Sequence, residues 1–146
     1  MPAGFRVYSS SQVKVSIAGI PITGGYADGE FLRIERETEA FSDVVGTDGE
    51  VTRNATKDDR ATVTLILMQS AEANAVLSAF HNADKNAEGG AGVGRFLVED
   101  LNGTTLHEGA QCWIQAEPDA SYDREVTPRE WVVRVAKLIN SFGGYS

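Results

Sequence analysis

The sequence predicts a mainly β domain: two packed antiparallel sheets forming a β-sandwich or barrel, flanked by one α-helix and carrying one long extended loop. Three observations predict it. Several short stretches alternate apolar and polar residues with the two-residue period of a half-buried strand. Fifteen glycines against four prolines supply the tight turns that a β-rich chain needs. Only one segment spaces its apolar residues helically, and it falls between the middle strands. With 146 residues the chain suffices for one domain with a real core and is too short for two, so residues 1–146 read as a single domain.

In chain order, Val13, Val15 and Ile17 alternate with Gln12, Lys14 and Ser16, which predicts a first strand. Gly24-Gly25 and Asp28-Gly29 mark turns, and Phe31 to Arg36 reads as a second strand with Leu32 and Ile34 inward. Phe41 to Val45 reads as a third. Gly46 to Arg60 is polar, with Val51 its only strong hydrophobe, and is a long loop or an extended, flexible hairpin. Arg60 to Gln69 is the clearest strand. Val63, Leu65 and Leu67 share one face, and Ile66 and Met68 make the other apolar toward its end, so that end should be covered on both sides.

Ser70 is a candidate N-cap and Glu72 suits a helix N-terminus, with Ala73, Val76, Leu77 and Phe80 at helical spacing. The helix is expected over residues 71–85. Glu88 to Gly94 is a glycine-rich connector. Phe96 to Leu101 is a strand, Asn102-Gly103 a hairpin turn, and Thr104 onward the return, with a bulge at Gly109. Ala110, Cys112 and Ile114 are expected inward. A polar connector spans Glu117 to Glu130, and Trp131 to Leu138 closes a set of six to eight strands.

No chemistry-bearing constellation appears. His81 near the helix end fits a surface position that favours the dipole, and His107-Glu108 lacks the second histidine of a zinc-protease motif. Cys112, between Ala110 and Ile114, reads as a small buried hydrophobe rather than a nucleophile. The run Gly89 to Gly94 follows a helix and precedes a strand, the reverse of a phosphate loop. Asp28-Gly29-Glu30 and Asp48-Gly49-Glu50 lack the spaced oxygens of a calcium site and fit turns. No catalytic, cofactor or metal residue is therefore assigned. The longest apolar run, Leu65 to Met68, is far too short to span a membrane, and Met1 to Arg6 carries no secretory signature. The single cysteine suits folding in a reducing cytoplasm.

The formal charge of -8 disfavours gripping nucleic acid, whose phosphates are held by Lys and Arg. It suits solubility, or the passage of a polyanion without adhesion. The loop holds charges of alternating sign, which fits contact with a neighbouring copy or a solvated, mobile loop.

Tyr8-Ser9-Ser10, Val13 to Ile17, Gly24-Gly25-Tyr26-Ala27-Asp28-Gly29-Glu30-Phe31, Phe41 to Arg53 and the passage from Val63 to Ser70, continuing to Asn74 and Leu77-Ser78, resemble the tail tube proteins of contractile-tailed phages. These in turn are similar in fold to the inner tube of type VI secretion systems. The resemblance covers most of the chain and is strongest before Phe80. It implies that six copies form a ring with sheets joined edge to edge, and that rings stack into a hollow tube conducting DNA without specific binding. It implies as partners further copies of the chain, the surrounding sheath, and baseplate and tail terminator proteins. The tube would be assembled in the host cytoplasm and belong to the virion tail. The extended loop, about residues 43–59, would reach a neighbouring subunit or ring, with Asp43, Asp48, Glu50, Val51, Arg53, Lys57, Asp58 and Asp59 as its candidate contact residues. Sibling readings are the tube of a phage-derived bacteriocin or secretion device. A monomeric β-sandwich binding module would instead cluster exposed aromatics on one sheet face, whereas Trp113 and Trp131 sit in apolar strands. A small enzyme would need a nucleophile–base pair that is not apparent.

Overall fold

The computed structural model describes residue 9, residues 12–87, residue 89 and residues 92–144. Tyr8, Ser10, Glu88, Gly90 and Ala91, on which parts of the expectations fall, lie outside the described residues. The strands are β1 (Val13–Ile17), β2 (Ile20–Ile22), β3 (Leu32–Arg36), β4 (Phe41–Val45), β5 (Val51–Ala55), β6 (Ala61–Met68), β7 (Gly94–Asp100), β8 (Leu106–Ala116), β9 (Pro128–Val135) and β10 (Ile139–Ser141). One helix, α1 (Ala73–Asn86), lies between β6 and β7. All pairings are antiparallel, in two sheets. The larger runs β2-β1-β7-β8-β9-β6-β3 with β10 also on β8, and the smaller is the β4–β5 hairpin. Among the described residues the large sheet stays open between β2 and β3, so the sandwich alternative holds and not a closed barrel.

The core follows from the alternation. Val63, Leu65 and Leu67 of β6 are fully buried, flanked in register by Val133 and Trp131 of β9. Phe96 and Val98 of β7, Val15 and Ile17 of β1, Cys112 and Ile114 of β8, and Leu77 of the helix complete one cluster. Each such aliphatic or aromatic side chain contributes about 1.5–3 kcal/mol when removed from water. Ile66, on the second face of β6, is also buried, as expected, while Met68 beyond it is exposed.

Several expectations need correction. The N-cap is Glu72, without a side-chain cap bond, and the helix starts at Ala73 rather than Ala71. Asn74 instead ties the entry by donating to the carbonyls of Met68 and Gln69 at 2.9 and 3.4 Å, so Ser70 is left in the preceding turn. His81 is buried, not a surface residue. It stands four residues after Leu77 and shares its face, which the dipole argument, concerned only with position along the axis, does not see. Its Nδ1 has no hydrogen-bond partner among the described residues.

The third correction concerns Ala110, which is exposed. The bulge expected near Gly109 is present, between the pairs Gly94–Cys112 and Phe96–Gly109. Its extra residue shifts the phase, so Gly109 takes the inner position and Ala110 turns outward. A Cβ on Gly109 would lie 2.4 Å from Val135 Cγ1 and 3.0 Å from the Lys137 carbonyl oxygen, so glycine is required there by close approach. Fourth, the loop between β7 and β8 is longer than the two residues Asn102-Gly103 suggest. Neither takes the positive φ of a type I′ turn. The Asn102 side chain is engaged elsewhere, accepting from Ser9 N and donating to Ser9 O, both at 2.9 Å.

The two-residue turn occurs instead at Ala18-Gly19, between β1 and β2, with φ of 54° and 84°. Ala18 is the only non-glycine residue at positive φ among those described, and without an Asn or Asp its turn carries no strong hairpin signal. The described residues hold ten strands rather than six to eight; β2 and β10, of three residues each, are too short to show a period.

Candidate functional site

The extended segment is a hairpin. β4 and β5 pair in the register Phe41–Ala55, Ser42–Asn54, Asp43–Arg53, Val44–Thr52 and Val45–Val51. Gly46 N donates to Glu50 O at 2.7 Å and Gly49 N to Gly46 O at 3.0 Å, closing the tip. Gly49 sits at φ +87°, a conformation that glycine adopts without strain, and Asp48 Oδ1 accepts from Glu50 N at 3.2 Å. Turn chemistry therefore accounts for Asp48-Gly49-Glu50.

All ten strand residues of the hairpin are exposed, among them Phe41, Val44, Val45 and Val51 at 50%, 60%, 62% and 60%. Directly opposed residues share a face, so Phe41, Val45, Val51 and Ala55 lie together with Asp43 and Arg53. The Arg53 guanidinium carbon lies 4.4 Å from the Phe41 ring centroid. Such a contact contributes about 0.5–1 kcal/mol at an exposed site, and a lone two-stranded hairpin is at best marginal in water. The apolar face therefore lacks tertiary support among the described residues.

The root of the hairpin is different. Thr56 N donates to Ala40 O at 2.9 Å and Glu37 N to Arg60 O at 3.1 Å, extending the ladder toward the body. Asp58 accepts from Arg60 Nε at 2.9 Å, Arg60 Nη2 at 3.0 Å and Thr38 Oγ1 at 2.6 Å. These bonds hold its carboxyl well below the usual carboxylate range, the Arg60 side chain contributing most. Arg36 donates to Leu138 O at 2.8 Å, and Leu138 N to Asp59 O at 2.9 Å, tying the root to the turn between β9 and β10. Glu37 accepts from Thr62 Oγ1 and lies 3.7 Å from Arg134 Nη2.

The eight candidate contact residues thus divide. Asp58 and Asp59 are engaged by Arg60 and Arg36 of their own chain. Asp43, Asp48, Glu50, Val51 and Arg53 stand on the exposed hairpin, and Lys57 is exposed at its root. Phe41, Val44 and Val45 were not singled out from sequence, although the strand assigned to residues 41–45 already contained their apolar side chains.

Two sheet margins are also free among the described residues. β3 pairs only with β6. β8 is paired with β7 up to Cys112, but from Trp113 to Ala116 it pairs only with β9. Two further edges are short: β2 has three residues with Pro21 at its centre, and β10, paired only with β8, has three, so both are poor templates for a further strand.

Elsewhere no chemistry gathers. Burial pushes the Cys112 thiol up to about 11, and His107 Nδ1 is 2.7 Å from Asn140 Oδ1. Among the described residues no three His, Cys, Asp or Glu side chains come together to hold a metal ion, and no helix is long and apolar enough to cross a membrane.

The fold is an open β-sandwich with one flanking helix, two free margins and a projecting hairpin. It is shared with two solved structures. The sheath/tube terminator of an extracellular contractile injection system in its extended state superposes with a TM-score of 0.65 at 12% identity, over 96% of this chain and all of that one (100%). The tube-terminating cap of the anti-feeding prophage gives 0.59 at 6% identity, over 97% of this chain and 95% of that chain. No protein-family model matches. Structural protein ORF10 of Pseudomonas phage KPP10 is 30% identical over 144 residues, 94% of this chain and 82% of that protein. The chain belongs to that phage structural-protein family, and its resemblance to phage tail tube proteins stands.

Proposed function

We propose that this chain, as a single tail-tube-like domain over residues 1–146, is a subunit of the tail tube of a contractile-tailed phage and has no catalytic role. Six copies form a ring, and stacked rings make the hollow conduit through which DNA leaves. The observation that carries this reading is the hairpin, whose apolar side chains are exposed in the lone subunit and need cover from another copy. The margins of β3 and of β8 at Trp113 to Ala116 support it further. They are different edges, so their union is heterologous and closes into a ring when the rotation between subunits permits. Sheath, baseplate and terminator proteins are the implied neighbours, in a virion tail assembled in the host cytoplasm. The acidic balance supports a wall that offers phosphates few cations in exchange for their counterions.

A second reading is supported by the two solved structures, both of which end a tube: a subunit that closes the conduit of a contractile injection system instead of propagating it. Electron microscopy of the concentrated protein separates the two. Tubes of constant width are expected for the tube subunit, and isolated rings for the terminating one. A sharp monomer by sedimentation at every concentration would overturn both. Deleting Asp48 to Lys57 should leave the body folded by circular dichroism and abolish tube growth; normal growth would remove the hairpin from the mechanism.

A further inference from the structure

Away from the hairpin lies a partly apolar groove of about 460 Å³, where β3 faces β1, β7 and β10. Val13, Phe31, Ile34, Val98 and Phe142 supply its apolar lining. Phe142 is 78% exposed. The groove with Phe142 is thus a second apolar surface without cover among the described residues.

We infer that this groove receives the apolar face of the β4–β5 hairpin of a second copy. The inference rests on the tube reading, because it names where the hairpin of that reading docks. Three observations carry it. The hairpin is fully exposed, so it does not occupy the groove of its own chain. Four of the exposed large hydrophobic side chains, Phe41, Val45 and Val51 on the hairpin face and Phe142 at the groove, lie on these two surfaces. Uniting them covers both with one contact.

Charge agrees with shape. Arg53, on the apolar face of the hairpin, makes no ion pair among the described residues and only overlies Phe41. The groove is lined by two carboxylates, Glu30 and Asp100, and by no Lys or Arg. Glu30 is engaged by Arg33 at 2.6 Å, while Asp100 accepts only from Asn102, at 2.8 and 3.0 Å, and is the carboxylate left for an incoming guanidinium. One hairpin and one groove per copy make a contact in which each subunit gives one half and receives the other, so the contact propagates along a row.

The test uses the full chain in two variants. Phe142→Asp closes the groove, and its 78% exposure keeps the change away from the core; Val51→Asp spoils the hairpin face at a residue 60% exposed. Circular dichroism identical to the wild type establishes that both fold. Neither alone should build tubes at concentrations where the wild type does. Mixed one to one, the intact hairpin of the first and intact groove of the second should join, doubling the mass seen by sedimentation relative to either variant alone, without further growth. Wild-type tubes together with tube growth by Phe142→Asp, or a mixture that stays at the mass of its components, overturns the groove while leaving the tube reading intact. A wild type that assembles into neither rings nor tubes sinks the tube reading itself.

Discussion

β5 ends at Ala55 and β6 begins at Ala61, yet the two strands meet opposite surroundings. β6 lies between β3 and β9, with Val63, Leu65 and Leu67 fully buried; β5 pairs only with β4, and both are exposed throughout. The ladder is antiparallel in each, on both sides of β6 and on one side of β5. What differs most is the side-chain support beneath it, and that support supplies most of the stability of any sheet. The chain builds one well-packed sandwich and leaves attached to it a hairpin without side-chain cover among the described residues.

The contrast can be broken most forcefully at Leu65. Leu65→Ala should lower the unfolding free energy by about 2–5 kcal/mol in denaturant titration, because it leaves a cavity under β6. Val45→Ala on the hairpin should stay within about 0.5 kcal/mol in the lone subunit. Hydrogen exchange sharpens the same point: β6 and β9 amides should exchange only with global unfolding, whereas β4 and β5 amides should exchange early and gain protection on assembly. Comparable protection of both regions in the monomer would remove the distinction.

Gly109→Ala comes next. The added methyl meets Val135 and the Lys137 carbonyl, and should cost about 1–3 kcal/mol by the same titration while leaving hairpin exchange unaltered. The smallest effect is expected at the hairpin root. The Asp58 carboxyl is held below its ordinary range by Arg60, so its contribution is complete above the unfolded carboxylate range near about 4 and is lost as the pH falls toward its lower folded value. Asp58→Asn should therefore lower the melting temperature slightly at neutral pH. The gap from wild type should narrow as the pH is taken below 4, about the unperturbed value for a carboxyl. A gap that widens on acidification would reverse the assignment.

Much of this body was legible because its period is local. Val13 to Ile17 and Val63 to Leu67 declare their buried face by alternation, and Leu77 sits at the helical spacing that packs it inward. The departures have local causes that a period cannot express. An extra residue near Gly109 changes which side of β8 is inside, a positive φ at Ala18 makes a turn without the usual residues, and Asn102 spends its side chain on Ser9. For the hairpin, sequence pointed to charges, whereas the structure draws attention to Phe41, Val44 and Val45 beside them. The groove was not legible at all. It exists only because residues as distant in the chain as Val13, Ile34 and Phe142 converge when the sheet curls.

The ionic root described at Thr38, Asp58 and Arg60 has a mechanical consequence. Five residues of extended strand carry the tip roughly 17 Å from that anchorage. In the proposed tube, a tilt of only a few degrees between adjoining subunits would therefore be magnified at the far end. A copy seated askew would leave the apolar blade wet, and the arm would register the stance of its neighbour as the lattice grows.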